Sequence, residues 1–173
     1  LVQNLEEFEG DKDIFINRRW FVPKDGHRAF DLPIKPTIQK IFTDYQKIIL
    51  IMPVGAAVRL IAPFIRDKYA DPAVVCIDDS GNFAVSLLSG HLGGADQLAS
   101  EISNHIGSIP VITSASHLGG TISVDLLGHE FGWTIESLSS TVTKASADVV
   151  NGEPVTIYQQ TGEPTWWPHH KSL

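Results

Sequence analysis

The sequence predicts an α/β protein: a mostly parallel, doubly wound sheet flanked by helices, with one β-hairpin and a short carboxyl-terminal appendage. Two observations carry this reading. Apolar runs of strand length, such as Ile48-Ile49-Leu50-Ile51 and Ala73-Val74-Val75-Cys76-Ile77, alternate with stretches whose apolar residues recur at helical spacing. The polar stretch Asp79-Ser80-Gly81-Asn82 then leaves room only for a tight turn between two such runs, which makes a hairpin. A nearly unbroken apolar run is how a strand covered on both faces reads.

In chain order, Val2, Leu5 and Phe8 share one helical face, and residues 13–17 read as a short strand. Residues 20–35, punctuated by Pro and Gly, read as a connection. Ile38, Ile41, Phe42 and Tyr45 return to helical spacing and lead into the strand of residues 47–52. Val58, Ile61, Ala62 and Ile65 mark the next helix, which Pro63 kinks or divides. Residues 73–77 and 83–88 form the hairpin strands. Ala95, Leu98, Ala99, Ile102 and Ile106 trace a buried helical stripe that Gly107 is placed to end, and residues 109–113 supply another strand. Val124, Leu127 and Phe131 suggest a helix stopped near Gly132, residues 133–136 a short strand, Leu138, Val142, Ala145 and Val149 a helix, and residues 154–159 a last strand. We place one domain at residues 1–136 and an appendage at 137–173.

Composition narrows the function. A chain of 173 residues that is 43% hydrophobic and 19% charged can bury a core. Its formal net charge of -7, with no cluster of Lys and Arg, argues against a nucleic-acid partner. No run approaches the length of a membrane span, and a signal peptide is not expected. Cys76 has no other cysteine to pair with and lies in an apolar run, so a buried, inert thiol and a cytoplasmic setting are expected. Leu1 opens on an amphipathic helix, so the chain reads as an internal piece of something longer.

In a doubly wound sheet, ligands collect beyond the carboxyl ends of strands, where loops enter helix N-termini whose free N–H groups favour anions. Three loops have that character and are expected at one edge: residues 52–56 with Gly55 and, one turn on, Arg59; residues 89–96; and residues 113–121, which begin at Thr113. The second is the most specific. Gly90, Gly93 and Gly94 allow close backbone approach while His91 and Asp96 are held beside a helix start. His91 suits general acid–base work near neutral pH. The bland reading makes the glycines a strand-to-helix turn, Asp96 a first-turn acid and His91 a surface residue.

Other residues leave similar alternatives open. Arg59 reads as a carboxylate clamp or as a surface residue, Asp71-Pro72 as a catalytic loop or a turn initiator, and His117 as a partner of His91 or a loop histidine. Ser86 and Ser89 precede the loop without a nucleophile-elbow motif. Dinucleotide and Walker patterns are missing. His169-His170 with His129 or His27 lacks metal-ligand spacing, so no resident metal or cofactor is expected.

Residues 53–63, Asp67-Lys68, residues 71–75, Gly81, residues 86–96, Pro110-Val111-Ile112-Thr113 and Val124-Asp125, in that order, resemble the amino-terminal domain of the CbiG family of cobalamin-biosynthesis proteins. The resemblance covers about residues 35–130, and residues 144–159 look like the start of the family's central domain. The chain departs from the family at Asp96, where Asn is usual, and at His117, where Asp is usual. The resemblance implies hydrolysis of cobalt-precorrin-5A to cobalt-precorrin-5B, with opening of the ring-A lactone and release of acetaldehyde. Cobalt would belong to the substrate. A carboxyl-terminal domain of the same protein and a second copy, as a homodimer, are the protein partners expected.

Such chemistry asks for an activated water, a donor to the developing oxyanion and partners for peripheral carboxylates. We assign His91 as acid/base, the Gly93, Gly94 and Ala95 N–H groups as anion or oxyanion donors, and Arg59 as clamp, with Gly55, Ser89, Gly90, Asp96 and Thr113 lining the substrate. The competing reading is a non-catalytic corrinoid-binding module.

Overall fold

The structure is a computed structural model that describes residues 1–67, 70–91, 93–114, 121–128 and 131–162. The chain divides into two compact units, Leu1–Val111 and Ile112–Leu173. His117, His129 and the aromatic, His-containing tail singled out from the sequence lie outside the described residues.

The first unit contains α1 (Val2–Glu6), β1 (Ile14–Asn17), β2 (His27–Phe30), α2 (Lys35–Asp44), β3 (Lys47–Ile51), α3 (Val54–Ile61), β4 (Ala73–Ile77), β5 (Phe83–Leu88), α4 (Ala95–Ile106) and β6 (Ile109–Val111). β1 and β2 form a parallel pair, and the remaining strands a sheet in the order β3-β4-β5-β6. Within that sheet β3 is parallel to β4 and β5 to β6, while β4 and β5 are antiparallel. The mostly parallel sheet and its hairpin are as the sequence predicts. Pro63 does divide its helix, since α3 stops at Ile61 and a 3₁₀ turn, Ala62–Phe64, follows.

Helices cover both faces of this sheet. Ile38, Ile41 and Phe42 of α2 and Ala57 and Ile61 of α3 pack with Ile48, Leu50, Val74 and Cys76. Alternation along a strand sends Val75 and Ile77 to the other face, where α4 meets β4, β5 and β6. The α4 stripe Ala95, Leu98, Ala99 and Ile102 is fully or nearly fully buried. Burial of a side chain such as Ile77 or Ile102 contributes about 1.5–3 kcal/mol. Burial also pushes the Cys76 thiol up, and its Sγ donates to the Met52 carbonyl, as suits an inert core thiol.

The hairpin that reverses the sheet is organised by Asp78, one residue before the turn read from the sequence. Asp78 Oδ1 accepts from the Phe83 N–H at 2.7 Å, Oδ2 accepts from the Ser80 N–H at 3.3 Å, and the Asp78 carbonyl accepts from Gly81 N–H at 2.8 Å. Gly81, at φ +73°, takes the left-handed position that the turn requires. In β5 the register skips between Val74, opposite Leu88, and Val75, opposite Ser86. Leu87 is the extra residue of this bulge, so Leu87 and Leu88 both reach the α2–α3 side. Ser86 is left on the α4 side.

Four sequence readings are corrected. β2 lies in the stretch read as a connection, because His27-Arg28-Ala29-Phe30 has no apolar run to announce it. In the second unit the helix expected over Val124, Leu127 and Phe131 is only a 3₁₀ turn, Val124–Leu126. The turn ends at Leu127, whose ψ of 120° is not helical, and Gly128 at φ +69° lies outside the right-handed helical region. Residues 133–136 and 154–159 form no strand, having no ladder partner among the described residues. The helix read from Leu138 onward is present as α5 (Ser139–Val150).

The backbone hydrogen bond from Phe83, and those from Ser80 and Asn82, hold the Asp78 carboxyl below the usual carboxylate range. A lowered carboxyl pKa contributes stability that is present above the unfolded value, about 3.9, and is lost as pH falls through the folded value. Asp78→Ala should therefore be less stable than the parent protein at pH 7 by urea unfolding, with the difference shrinking as pH drops below about 4. Equal stability at pH 7 would contradict the role given to this carboxylate.

Candidate active site

Because β5 runs against β4, its carboxyl end emerges where β4 begins. Ser89 Oγ donates to the Asp71 carbonyl at 3.0 Å, and a Cβ on Gly93 would stand 3.4 Å from the Ala73 nitrogen. Asp71 is buried, and both its carboxylate oxygens accept from the Arg66 N–H at 3.0 Å. Asp71 thereby holds the turn that leads into β4.

The loop then doubles back into α4. Ser89 takes φ +56°, rare for a side-chain-bearing residue, and Gly94 caps the helix at φ +83°. The Ser89 carbonyl accepts from Ala95 N–H at 3.2 Å, the Gly90 carbonyl from Asp96 N–H at 3.1 Å, and the His91 carbonyl from Gly94 N–H at 3.2 Å. This corrects the sequence assignment of Gly94 and Ala95 as oxyanion donors, since their N–H groups are spent on the loop itself. Gly93 has a packing role: a Cβ there would lie 2.5 Å from Ser89 Cβ and 2.8 Å from its carbonyl oxygen.

Asp96 is the centre of the site. Its side chain is 13% exposed, and Oδ1 accepts from Ser86 Oγ at 2.6 Å. Oδ2 is buried, takes no hydrogen bond among the described residues, and lies 3.9 Å from His91 Nδ1. That distance is an ion-pair contact when the imidazole is protonated and longer than a hydrogen bond. His91 itself is 29% exposed, so the ring is backed by a carboxylate and still open to solvent. Gly90 is required here, since a Cβ would stand 2.6 Å from Asp96 Oδ1.

The structure thus brings together Ser89, Gly90, His91, Gly93, Gly94, Ala95 and Asp96. It does not bring Gly55 and Arg59 to them. Both follow β3, whose carboxyl end adjoins that of β4, so they occupy the opposite edge, about 13 Å away along the strands. There the Arg59 guanidinium folds back, donating to the Gly55 carbonyl at 3.1 Å. The expectation of one shared edge fails because it took every strand to run the same way. Thr113 belongs to the second unit. Sequence reasoning missed Ser86 as the partner of Asp96; its signal is the strand alternation that turns it toward α4. No three metal-capable side chains converge among the described residues.

Comparison with known proteins accords with this architecture. The model described as "Cobalamin synthesis G N-terminal" matches residues 36–117, and "Cobalamin biosynthesis central region" matches residues 122–173. These are two successive regions of a cobalamin-biosynthesis protein. The chain belongs to the CbiG family. It is 46% identical over 140 residues to the cobalt-precorrin-5A hydrolase of Priestia megaterium, covering 81% of this chain and 37% of the relative. It is 34% identical over 144 residues to the cobalt-precorrin-5A hydrolase of Salmonella typhimurium, covering 83% of this chain and 39% of that protein. The chain therefore spans under two-fifths of the length of these curated relatives.

Removing the Ser86 hydroxyl would leave a buried carboxylate with neither oxygen hydrogen-bonded by a side chain. Ser86→Ala should cost about 1–3 kcal/mol in urea unfolding. In an Asp96→Ala background the same change should cost well under half as much, because the group it serves is gone. Additive losses would show that the two side chains are not coupled.

Proposed function

We propose that the longer protein carrying this chain hydrolyses cobalt-precorrin-5A to cobalt-precorrin-5B, releasing acetaldehyde, and that His91 is its acid/base residue. The observation that carries the reading is the 46% identity to a cobalt-precorrin-5A hydrolase over 81% of the chain. The geometry of the loop supports it. His91 is solvent-accessible, and the Asp96 carboxylate stands 3.9 Å behind its Nδ1.

In this reading water attacks the lactone carbonyl and His91 takes its proton; the acyl–oxygen bond breaks to leave a carboxylate and an alcohol. The carbon–carbon bond joining the two-carbon unit to the macrocycle then breaks: the alcohol loses its proton and becomes the carbonyl of acetaldehyde, while the electron pair of the broken bond stays on the macrocycle carbon, which takes up a proton. The carboxylates of the substrate then meet groups other than Arg59, which lies at the opposite edge. Cobalt enters as part of the substrate, and the reading asks for no resident metal, nucleotide or nicotinamide. The remaining polypeptide of the longer protein supplies a second wall for a large flat tetrapyrrole, since such sites commonly lie between domains. The setting is cytoplasmic; among the described residues no helix is long and apolar enough to cross a membrane.

His91→Ala in the longer protein should lower acetaldehyde release at least a hundredfold, within the roughly 10²–10⁴ that general acid–base groups contribute, with circular dichroism unchanged. Near-normal release from a folded variant would remove His91 from the chemistry. Corrinoid binding without acetaldehyde from the unaltered longer protein would leave a carrier rather than an enzyme.

A further inference from the structure

Two strand edges in the first unit line one open groove. β3 ends one sheet and β1 ends the other, and every residue of both strands borders a cavity of about 1290 Å³. In a parallel ladder, alternate residues turn their N–H and C=O groups to opposite neighbours. The bonds from Ala73 N–H to the Gln46 carbonyl and from Met52 N–H to the Ile77 carbonyl set the even-numbered residues of β3 toward β4. Lys47, Ile49 and Ile51 therefore turn their backbone groups into the groove. On β1 the bond from Ile14 N–H to the Gly26 carbonyl directs Ile14 and Ile16 to β2 and leaves Phe15 and Asn17 facing the groove.

The other two sides of the groove are apolar. Ile38, Ile41 and Tyr45 line it from α2, and Leu5, Phe8 and Leu98 from the α1 and α4 side. A space with two hydrogen-bonding sides and two apolar walls has the form of one strand. Left open, it would strand backbone groups whose pairing is worth a hydrogen bond each, and it would expose an apolar pairing template.

We infer that this groove holds one extended segment of about five residues, apolar on both faces and parallel to β1 and β3, at about 3.3 Å per residue. The two sheets then join as one of seven strands, with the inserted strand between β1 and β3. The occupant is a segment of the same polypeptide on the amino-terminal side of α1. A strand paired on both edges must be threaded lengthwise, which a folded second copy, whose described strands already sit in ladders, does not offer. Polypeptide for it exists in the family, since the chain spans only 37% and 39% of two of its curated relatives. The crossover is also in place. α1 packs against α4, with His105 Nε2 2.7 Å from the Asn4 carbonyl and the Phe8 ring edge-on to His105 at 5.5 Å, and it leads into β1. That is the path of the helix in a right-handed βαβ unit whose first strand lies beside β1.

Hydrogen exchange of the longer polypeptide tests this independently of the hydrolase reading. The Ile49 and Ile51 amides should exchange within about tenfold of the Cys76 amide in the central strand β4, as paired amides do. Faster exchange than that overturns the inference. A second measurement guards against direct pairing of β1 with β3. A strand between them separates the two backbones by about 9.5 Å, beyond the reach of a disulfide. The Phe15→Cys/Ile49→Cys protein should accordingly form no disulfide between these positions under oxidation. Formation of that bond would close the groove without an occupant and overturn the proposal.

Discussion

The antiparallel pairing of β4 with β5 decides where chemistry can sit in this chain. If β5 ran with β4, its carboxyl end would emerge beside Gly55 and Arg59, and all the glycine-containing loops would share one edge. The Asp78 turn returns the chain at once, so β5 delivers Ser86 and Ser89 to the beginning of β4 instead. The loop carrying His91 is thereby separated from Arg59 by the length of the sheet. A single carboxylate, bonded to the Phe83 N–H, underlies that separation.

At the edge so chosen, the glycines serve packing more than catalysis. Gly90 admits the Asp96 carboxylate and Gly93 admits Ser89. Loop carbonyls accept from the Gly94, Ala95 and Asp96 N–H groups where α4 starts. What remains chemically distinctive is a carboxylate held by Ser86 on one oxygen and facing His91 with the other. Burial makes that arrangement costly for an idle residue, because a buried charge is retained only where it is paired or used. The hydrolase reading gives it a use.

Much of the fold was legible because buried strands announce themselves as unbroken apolar runs and α4 as a periodic stripe. β2 was illegible for the opposite reason: its four residues are held by the ladder with β1 and by neighbours, not by their own hydrophobicity. The helix expected at Val124 is a single turn because the backbone leaves the helical region at Leu127 and takes a left-handed value at Gly128, which apolar periodicity does not reveal. In the site, His91, Asp96 and the glycines were readable from residue type and spacing. Arg59 and Gly55 share a loop type with His91, but the hairpin reverses β5 and so sets them at opposite edges. Ser86 lacks a nucleophile-elbow motif, and residue type alone does not show that its hydroxyl holds a carboxylate ten residues on.

The claim on which the account turns is that substrate meets the edge where β5 ends. Hydroxyl-radical footprinting of the longer protein with and without cobalt-precorrin-5A tests it directly. Protection centred on residues 89–96, with His91 the most changed and residues 53–59 unaltered, is the expected result. Protection confined to Val54 and Arg59, with His91 as reactive as in the free protein, would place the substrate at the other edge and contradict the account.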